Sequence, residues 1–411
     1  MNFTHTARSA SVRGSVLRDH AGNVDATLTY MSILNIVDGH EPPDAGPPAV
    51  LSGLRVLDLS THATGPFATQ ILASLGATVL KVERPPAGDP ERQGEYAMFL
   101  ACNRGKYSVA LDVKAAAERR LLEDLTREAD AFFEGFRPGV AERIGFGFER
   151  VRQLQPRVIY VSLPGFGSTG PRASMRGYDT QYRALAGDLW LNAGPDGVPR
   201  YNPASPSFDY ATAMYATIGV LSALLGPRKE AVHLEVPILA AGLAWGFARL
   251  IDPAYDGGPM ASADYVFRTL DDEYVAINAG PDQEFIALCE AIGRPDLHRR
   301  ADLRAAKQRR ASRAEIDAVV AAAIASDTLA RWQERLTAHD VPHAPVLKPG
   351  RVTSEPQVRE LGVIHGGDEP HAELPIFGLP RRSLRRVPSV DEHGRLVRQG
   401  GWSAIEREDL S

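Results

Sequence analysis

From Leu54 to Glu83 the chain places a helical stretch between two short apolar runs, and no other feature restricts its fold as strongly. Leu54-Arg55-Val56-Leu57-Asp58-Leu59 has the length of a strand. Gly65 to Gly76 sets Phe67, Ile71, Leu72 and Leu75 on one stripe, and Thr78-Val79-Leu80-Lys81-Val82-Glu83 is a second strand closed by Arg84-Pro85-Pro86. Strands joined through a helix pair in parallel, so this unit predicts a parallel sheet.

The alternation continues. Ser108 to Val113 reads as a strand and Ala115 to Ala129 as an amphipathic helix. Ala131-Phe132-Phe133 and Arg157-Val158-Ile159-Tyr160-Val161-Ser162-Leu163 are further strands, the latter apolar enough to be buried on both faces. Pro164 to Asp209, with many Gly and Pro, reads as a loop-rich region. A buried helix from Ala211 to Leu225 and a strand, Val232 to Val236, follow. Gly257-Gly258-Pro259 breaks the pattern. Beyond it come a hairpin from Tyr265 to Ile277, turning at Asp271-Asp272-Glu273, and helices at 283–292, 313–324 and 329–339. The predicted fold class is α/β. Residues 1–50 form an extension and linker, 51–245 a large domain and 246–345 a small α+β domain, while 346–411 return to the large domain.

A chain of 411 residues exceeds one compact core, which supports two domains. Its net charge of -5 provides no general field for nucleic acid or an anionic membrane, so neither is an expected partner. No apolar run reaches the length of a membrane span by this reading, and the polar start predicts no secretory leader. Cys102 and Cys289 stand far apart with no metal or redox spacing, which suits a reducing cytoplasm. No metal and no permanently bound cofactor are expected.

The turn after the first strand, Ser60-Thr61-His62-Ala63-Thr64-Gly65-Pro66, lacks the glycine pattern of dinucleotide loops, and no P-loop, zinc motif or nucleophile elbow occurs. Basic residues narrow the field. Arg84 ends the second strand, at the carboxyl edge where open α/β sheets bind ligands. Asn103-Arg104-Gly105-Lys106 precedes the third strand, and Phe136-Arg137-Pro138-Gly139 follows the fourth. These residues either clamp a phosphorylated ligand with guanidinium forks or are solvated surface charges. Asp209 directly precedes the helix expected from Ala211. It is either an N-cap and nothing more, or a carboxylate that the helix end keeps ionised for attack on a thioester.

Several blocks in order resemble one family: Leu51-Ser52-Gly53-Leu54-Arg55-Val56-Leu57-Asp58-Leu59, Lys81-Val82-Glu83-Arg84-Pro85, Asn103-Arg104-Gly105-Lys106-Tyr107-Ser108, Phe136-Arg137-Pro138-Gly139 with Arg143-Ile144-Gly145, and Gly177-Tyr178-Asp179. From about Leu51 to about Gly394 the chain resembles the family III coenzyme A (CoA) transferases, which include formyl-CoA transferase, carnitine CoA-transferase and α-methylacyl-CoA racemase. The resemblance implies a Rossmann-like large domain, a small domain and an interlocked homodimer. It implies an acyl-CoA thioester and a carboxylic acid as substrates, with Asp209 forming the covalent intermediate. Arg84, Lys106 and Arg143 match positions that hold the nucleotide end of CoA, and Arg104 and Phe136 complete the expected CoA-binding set.

The sequence also departs from that pattern. Tyr178 stands where the racemases carry histidine, and a phenol with a pKa near 10 is a poor partner for α-proton exchange. Some transferases have glutamine at Ala63. The adjacent His62 is then a general base, a substrate donor or a loop filler. No glycine run marks Asp271 to Pro281, unlike formyl-CoA transferases. Arg183 replaces a common glutamine, either to hold an acceptor carboxylate or as a helix-surface residue. Tyr178, His62 and Arg183 are the expected substrate contacts. CoA transfer is the leading reading; racemisation through an enolate and non-catalytic CoA-thioester binding are the alternatives.

Overall fold

A computed structural model describes residues 49–193, 196–227, 229–250, 266–365, 371–380 and 384–409. The extension expected over 1–50 and the break at Gly257-Gly258-Pro259 lie almost wholly outside them. Six strands form one all-parallel sheet: β1 (Arg55–Asp58), β2 (Thr78–Glu83), β3 (Tyr107–Ala110), β4 (Ala131–Glu134), β5 (Ile159–Ser162) and β6 (Val232–Glu235). Their order is 3-2-1-4-5-6, that of a doubly wound sheet.

Strand alternation divides the large core. Val56, Val79, Phe133 and Val161 face the Thr64–Ser74 and Ser207–Leu225 helices, while Leu57, Leu80, Phe132 and Tyr160 face the Ala116–Arg127 helix and the C-terminal helix, Gly394–Asp409. Both faces are covered, so β2, β4 and β5 are buried throughout. The C-terminal segment also shields the edge strand β3. Ser108 N donates to His393 Nδ1 at 3.1 Å and Ala110 N to Asp391 Oδ1 at 2.8 Å.

A second core surrounds the antiparallel strands β7 (Val266–Arg268), β8 (Tyr274–Ile277) and β9 (His343–Pro345). Phe267, Val275, Phe285, Leu288, Trp332 and Leu336 fill it. The expected boundary at 245/246 falls inside a helix, Ile238–Leu250.

Three other expectations need correction. The stretch 164–209, read as loop-rich with no element assigned, holds two short helices, Asp179–Leu185 and Asp188–Leu191. The Ser207–Leu225 helix is, by length and composition, apolar enough to cross a membrane, although no such run was read from the sequence. Here it is a core helix: Ala213, Ala216 and Val220 are fully buried against the sheet. Finally, Asp209 is not its cap. The helix begins at Ser207 after Pro206, which puts Asp209 third in the first turn. Phe208 sets this earlier start, because its ring packs with Tyr182, Ala186 and Ile238. The ring fits because residue 242 is glycine; a Cβ there would stand 2.0 Å from Phe208 Cδ2.

Candidate active site

The chain reverses its direction across the sheet between β1 and β4, and ligands of open α/β sheets bind at the carboxyl ends of such strands. A cleft of roughly 440 Å³ opens there. The β1 loop supplies Thr61 and His62, the β4 loop Gly135 to Pro138, and the segment after β5 supplies Met175 to Tyr178. Asp209 lines it as well. A second cleft, of roughly 400 Å³, lies over the ends of β1, β2 and β3 and is lined by Arg84, Asp112 and Lys114. Thr61, Phe136 and Val140 line both clefts, so the two adjoin.

Asp209 is the acidic residue of the first cleft. Its carboxyl is part-exposed to the cleft yet enclosed by protein, and burial pushes its pKa up to about 6. Thr64 opposes this by donating a 2.6 Å hydrogen bond to Oδ1, while the negative charge of Asp179 adds to the rise. The sequence reading had the helix end holding this group ionised; desolvation outweighs that dipole. Asp179 is itself buried. It accepts from Phe208 N at 3.1 Å, and so ties the Asp179–Leu185 helix to the first turn that carries Asp209.

His62 lies on the β1 loop with a left-handed φ of 64°. Its Nδ1 is 2.6 Å from Glu91 Oε1, which fixes the ring and leaves Nε2 as the other hydrogen-bonding atom. Tyr178 is 68% exposed and meets the His62 ring edge-on at 6.0 Å, so both predicted contacts do reach the cleft.

Two predicted contacts require correction. Lys106 is fully buried, and its ammonium donates to Asp58 Oδ2, Pro66 O and Asn103 Oδ1, each at 2.9 Å. All three protons are used, so none is left for a nucleotide. Burial pushes the Lys106 pKa down to about 8, and the charges of Lys106 and Lys81 hold Asp58 well below the carboxylate range. Arg183 is also buried. It binds Asp188 Oδ2 at 2.6 Å, Asp179 Oδ2 at 3.4 Å and the carbonyls of Asn202 and Ser205 at 3.2 Å, which makes it a loop anchor and not a substrate contact.

The remaining CoA-binding candidates divide. Arg84 and Phe136 line the second cleft. Arg143 is exposed on the short helix whose Val140 and Ile144 wall it. Arg104 lines neither cleft; its backbone N–H donates to Gln70 Oε1 at 2.6 Å. Sequence reasoning gave no role to Thr64, Asp179, Glu91 or Arg176. Only Asp179 carried a signal, as part of the Gly177-Tyr178-Asp179 block. Among the described residues one group, His365, His371 and Glu373, brings possible metal-ligand atoms within 4.8 Å of one another, and it lines neither cleft.

Comparison with known proteins agrees with this geometry. The family model for CoA-transferase family III matches residues 51–393. The acetyl-CoA:oxalate CoA-transferase of Acetobacter aceti is 31% identical, over 87% of this chain and 97% of its own. The succinate–glutarate CoA-transferase of Agrobacterium fabrum is 30% identical, over 85% and 95%. Among solved structures, Rv3272 from Mycobacterium tuberculosis superposes with a TM-score of 0.76 at 30% identity, covering 85% of this chain and 99% of that one. A CAIB/BAIF family protein from Brucella suis gives 0.76 at 28%, covering 89% and 100%. These matches span nearly the whole described chain and both of its cores, and they establish that the protein belongs to CoA-transferase family III and moves CoA from an acyl-CoA thioester to a carboxylic acid.

Proposed function

We propose that Asp209 carries CoA through covalent intermediates. Its carboxylate attacks the donor thioester carbonyl, the C–S bond breaks, and CoA thiolate leaves a mixed anhydride. The thiolate then attacks the Asp209 acyl carbon, releasing the donor acid and forming an aspartyl–CoA thioester. The acceptor carboxylate attacks that thioester and again expels the thiolate. The thiolate takes the acceptor's acyl carbon, giving the new acyl-CoA and the free Asp209 carboxylate. The thioester's free energy stays within enzyme-bound species, and one hard step is split into easier ones.

The observation that carries this reading is the position of Asp209: it is the acidic residue lining a cleft that adjoins the cleft bearing Arg84 and Lys114. CoA's phosphates suit the second cleft and its thioester the first. Incubation with acyl-CoA followed by intact-mass measurement tests it. A hydroxylamine-sensitive mass gain, absent in Asp209→Ala, is expected; the same gain in Asp209→Ala overturns the assignment.

We also infer an interlocked homodimer. Met214, Tyr215 and Ile218 of one helix, and Trp245 and Phe247 of the next, are exposed, a surface that suits burial against a second copy. Light scattering on the eluting protein checks this, and a monomeric mass rejects it. The buried free thiols Cys102 and Cys289 suit a reducing compartment, and we place the enzyme in the cytoplasm.

A further inference from the structure

The balance of charge inside the first cleft exceeds what the transfer chemistry uses. Three cationic or potentially cationic side chains line it, His62, Arg137 and Arg176, against the single carboxylate of Asp209. His62 is engaged by Glu91. Arg137 adjoins Phe136, one of the residues shared with the second cleft, and so stands where the CoA chain would pass from one cleft to the other. Arg176 comes from the segment after β5, two residues before Tyr178. It is exposed to the cleft, and among the described residues no carboxylate pairs with it. Leu163, Met175 and Ile238 supply apolar wall in the same cleft.

A monocarboxylic acceptor brings one carboxylate, and that group is consumed at the reacting centre. A guanidinium that faces a partly apolar cleft without an internal partner suits a second anion, which it receives through two parallel N–H donors. We propose that Arg176 is a specificity residue that binds the distal carboxylate of a dicarboxylic substrate, so that the enzyme prefers short dicarboxylic acids and their mono-CoA thioesters over chain-matched monocarboxylic ones. This inference rests on the CoA-transfer reading of the same cleft.

Rates of CoA transfer from a fixed donor to succinate and to butyrate, acids that differ by one carboxylate, test it. A charge-assisted hydrogen bond in a cleft corresponds to roughly a tenfold to hundredfold effect. The wild type should favour succinate in kcat/KM by at least about tenfold. Arg176→Gln should remove that preference by raising the KM for succinate while leaving the butyrate reaction unchanged, and Arg176→Lys should restore part of it. A wild type that prefers butyrate overturns the inference. So does an Arg176→Gln variant that loses both reactions equally, or one in which only the KM for the CoA thioester rises. If no acid supports exchange and no adduct forms on Asp209, the transfer reading itself falls, a result distinct from transfer without dicarboxylate preference.

Discussion

Thr64 Oγ1 stands 2.6 Å from Asp209 Oδ1, joining the first turn of the helix after β1 to the first turn of a helix 145 residues later. That one hydrogen bond holds the Asp209 carboxylate at the switch point of the sheet and favours its ionised form. Its consequence is a pH dependence. With Asp209 titrating at about 6, formation of the covalent adduct should fall on the acid side of that value, roughly tenfold per unit. Thr64→Val removes a hydrogen bond to the charged form and should move that limb upward by about one to two units. Adduct formation in single turnovers across pH 5 to 9 measures it, and an unmoved limb counts against the assignment.

Asp209→Asn should be more stable than the wild type at neutral pH. The folded pKa lies above the ordinary carboxylate value, so the fold disfavours the ionised form. The cost is absent where the carboxyl is protonated in both states, grows above pH 4 and is complete above about 6. Neutral asparagine escapes it, with a gain of about 1–3 kcal/mol once partial access of water is allowed for. Urea unfolding at pH 3 and 7.5 should show the difference at the higher pH alone.

Asp179 anchors the helical turn that carries Asp209 through the backbone. It accepts from Phe208 N, Tyr201 Oη and Arg183, and its charge raises the Asp209 pKa. Asp179→Asn should therefore shift the acid limb of adduct formation to lower pH. Asp179→Ala should also lower kcat with little change in the KM for acyl-CoA, because the first turn loses its anchor. Steady-state kinetics of both variants separate charge from anchoring.

Lys106 and Arg84 should part company. Lys106→Met takes from buried Asp58 its directly bonded cation, leaving only the charge of Lys81 nearby, and should destabilise the fold by about 3–5 kcal/mol, with the affinity of the folded enzyme for CoA unchanged. Arg84→Gln should leave unfolding untouched and raise the KM for acyl-CoA about tenfold, with a weaker dependence on salt. Thermal melts and CoA titrations of the two variants decide it.

Much of this was readable in one dimension. The strand–helix–strand run from Leu54 to Glu83 and the apolar strand before Leu163 specify a parallel sheet buried on both faces, because apolar periodicity is a local property. Ordered blocks such as Phe136-Arg137-Pro138-Gly139 carried the family, and Arg84 and Asp209 stood out as charged residues at element ends. What a charged residue does there was less readable. Lys106 and Arg84 look alike in the sequence, yet one points into the sheet toward Asp58 and the other lines the second cleft.

By itself, then, the sequence determined the element types and the family, and it singled out Asp209 as the candidate nucleophile. The tertiary structure alone decided that Asp209 lies within the first helical turn beside Thr64, that burial and Asp179 raise its pKa, that Arg183 is an internal anchor, and that Arg176 faces the same cleft as the nucleophile. The physical reason is range. Periodicity and turn chemistry act over a few residues, whereas desolvation and charge pairing depend on groups that only folding brings within a few ångströms.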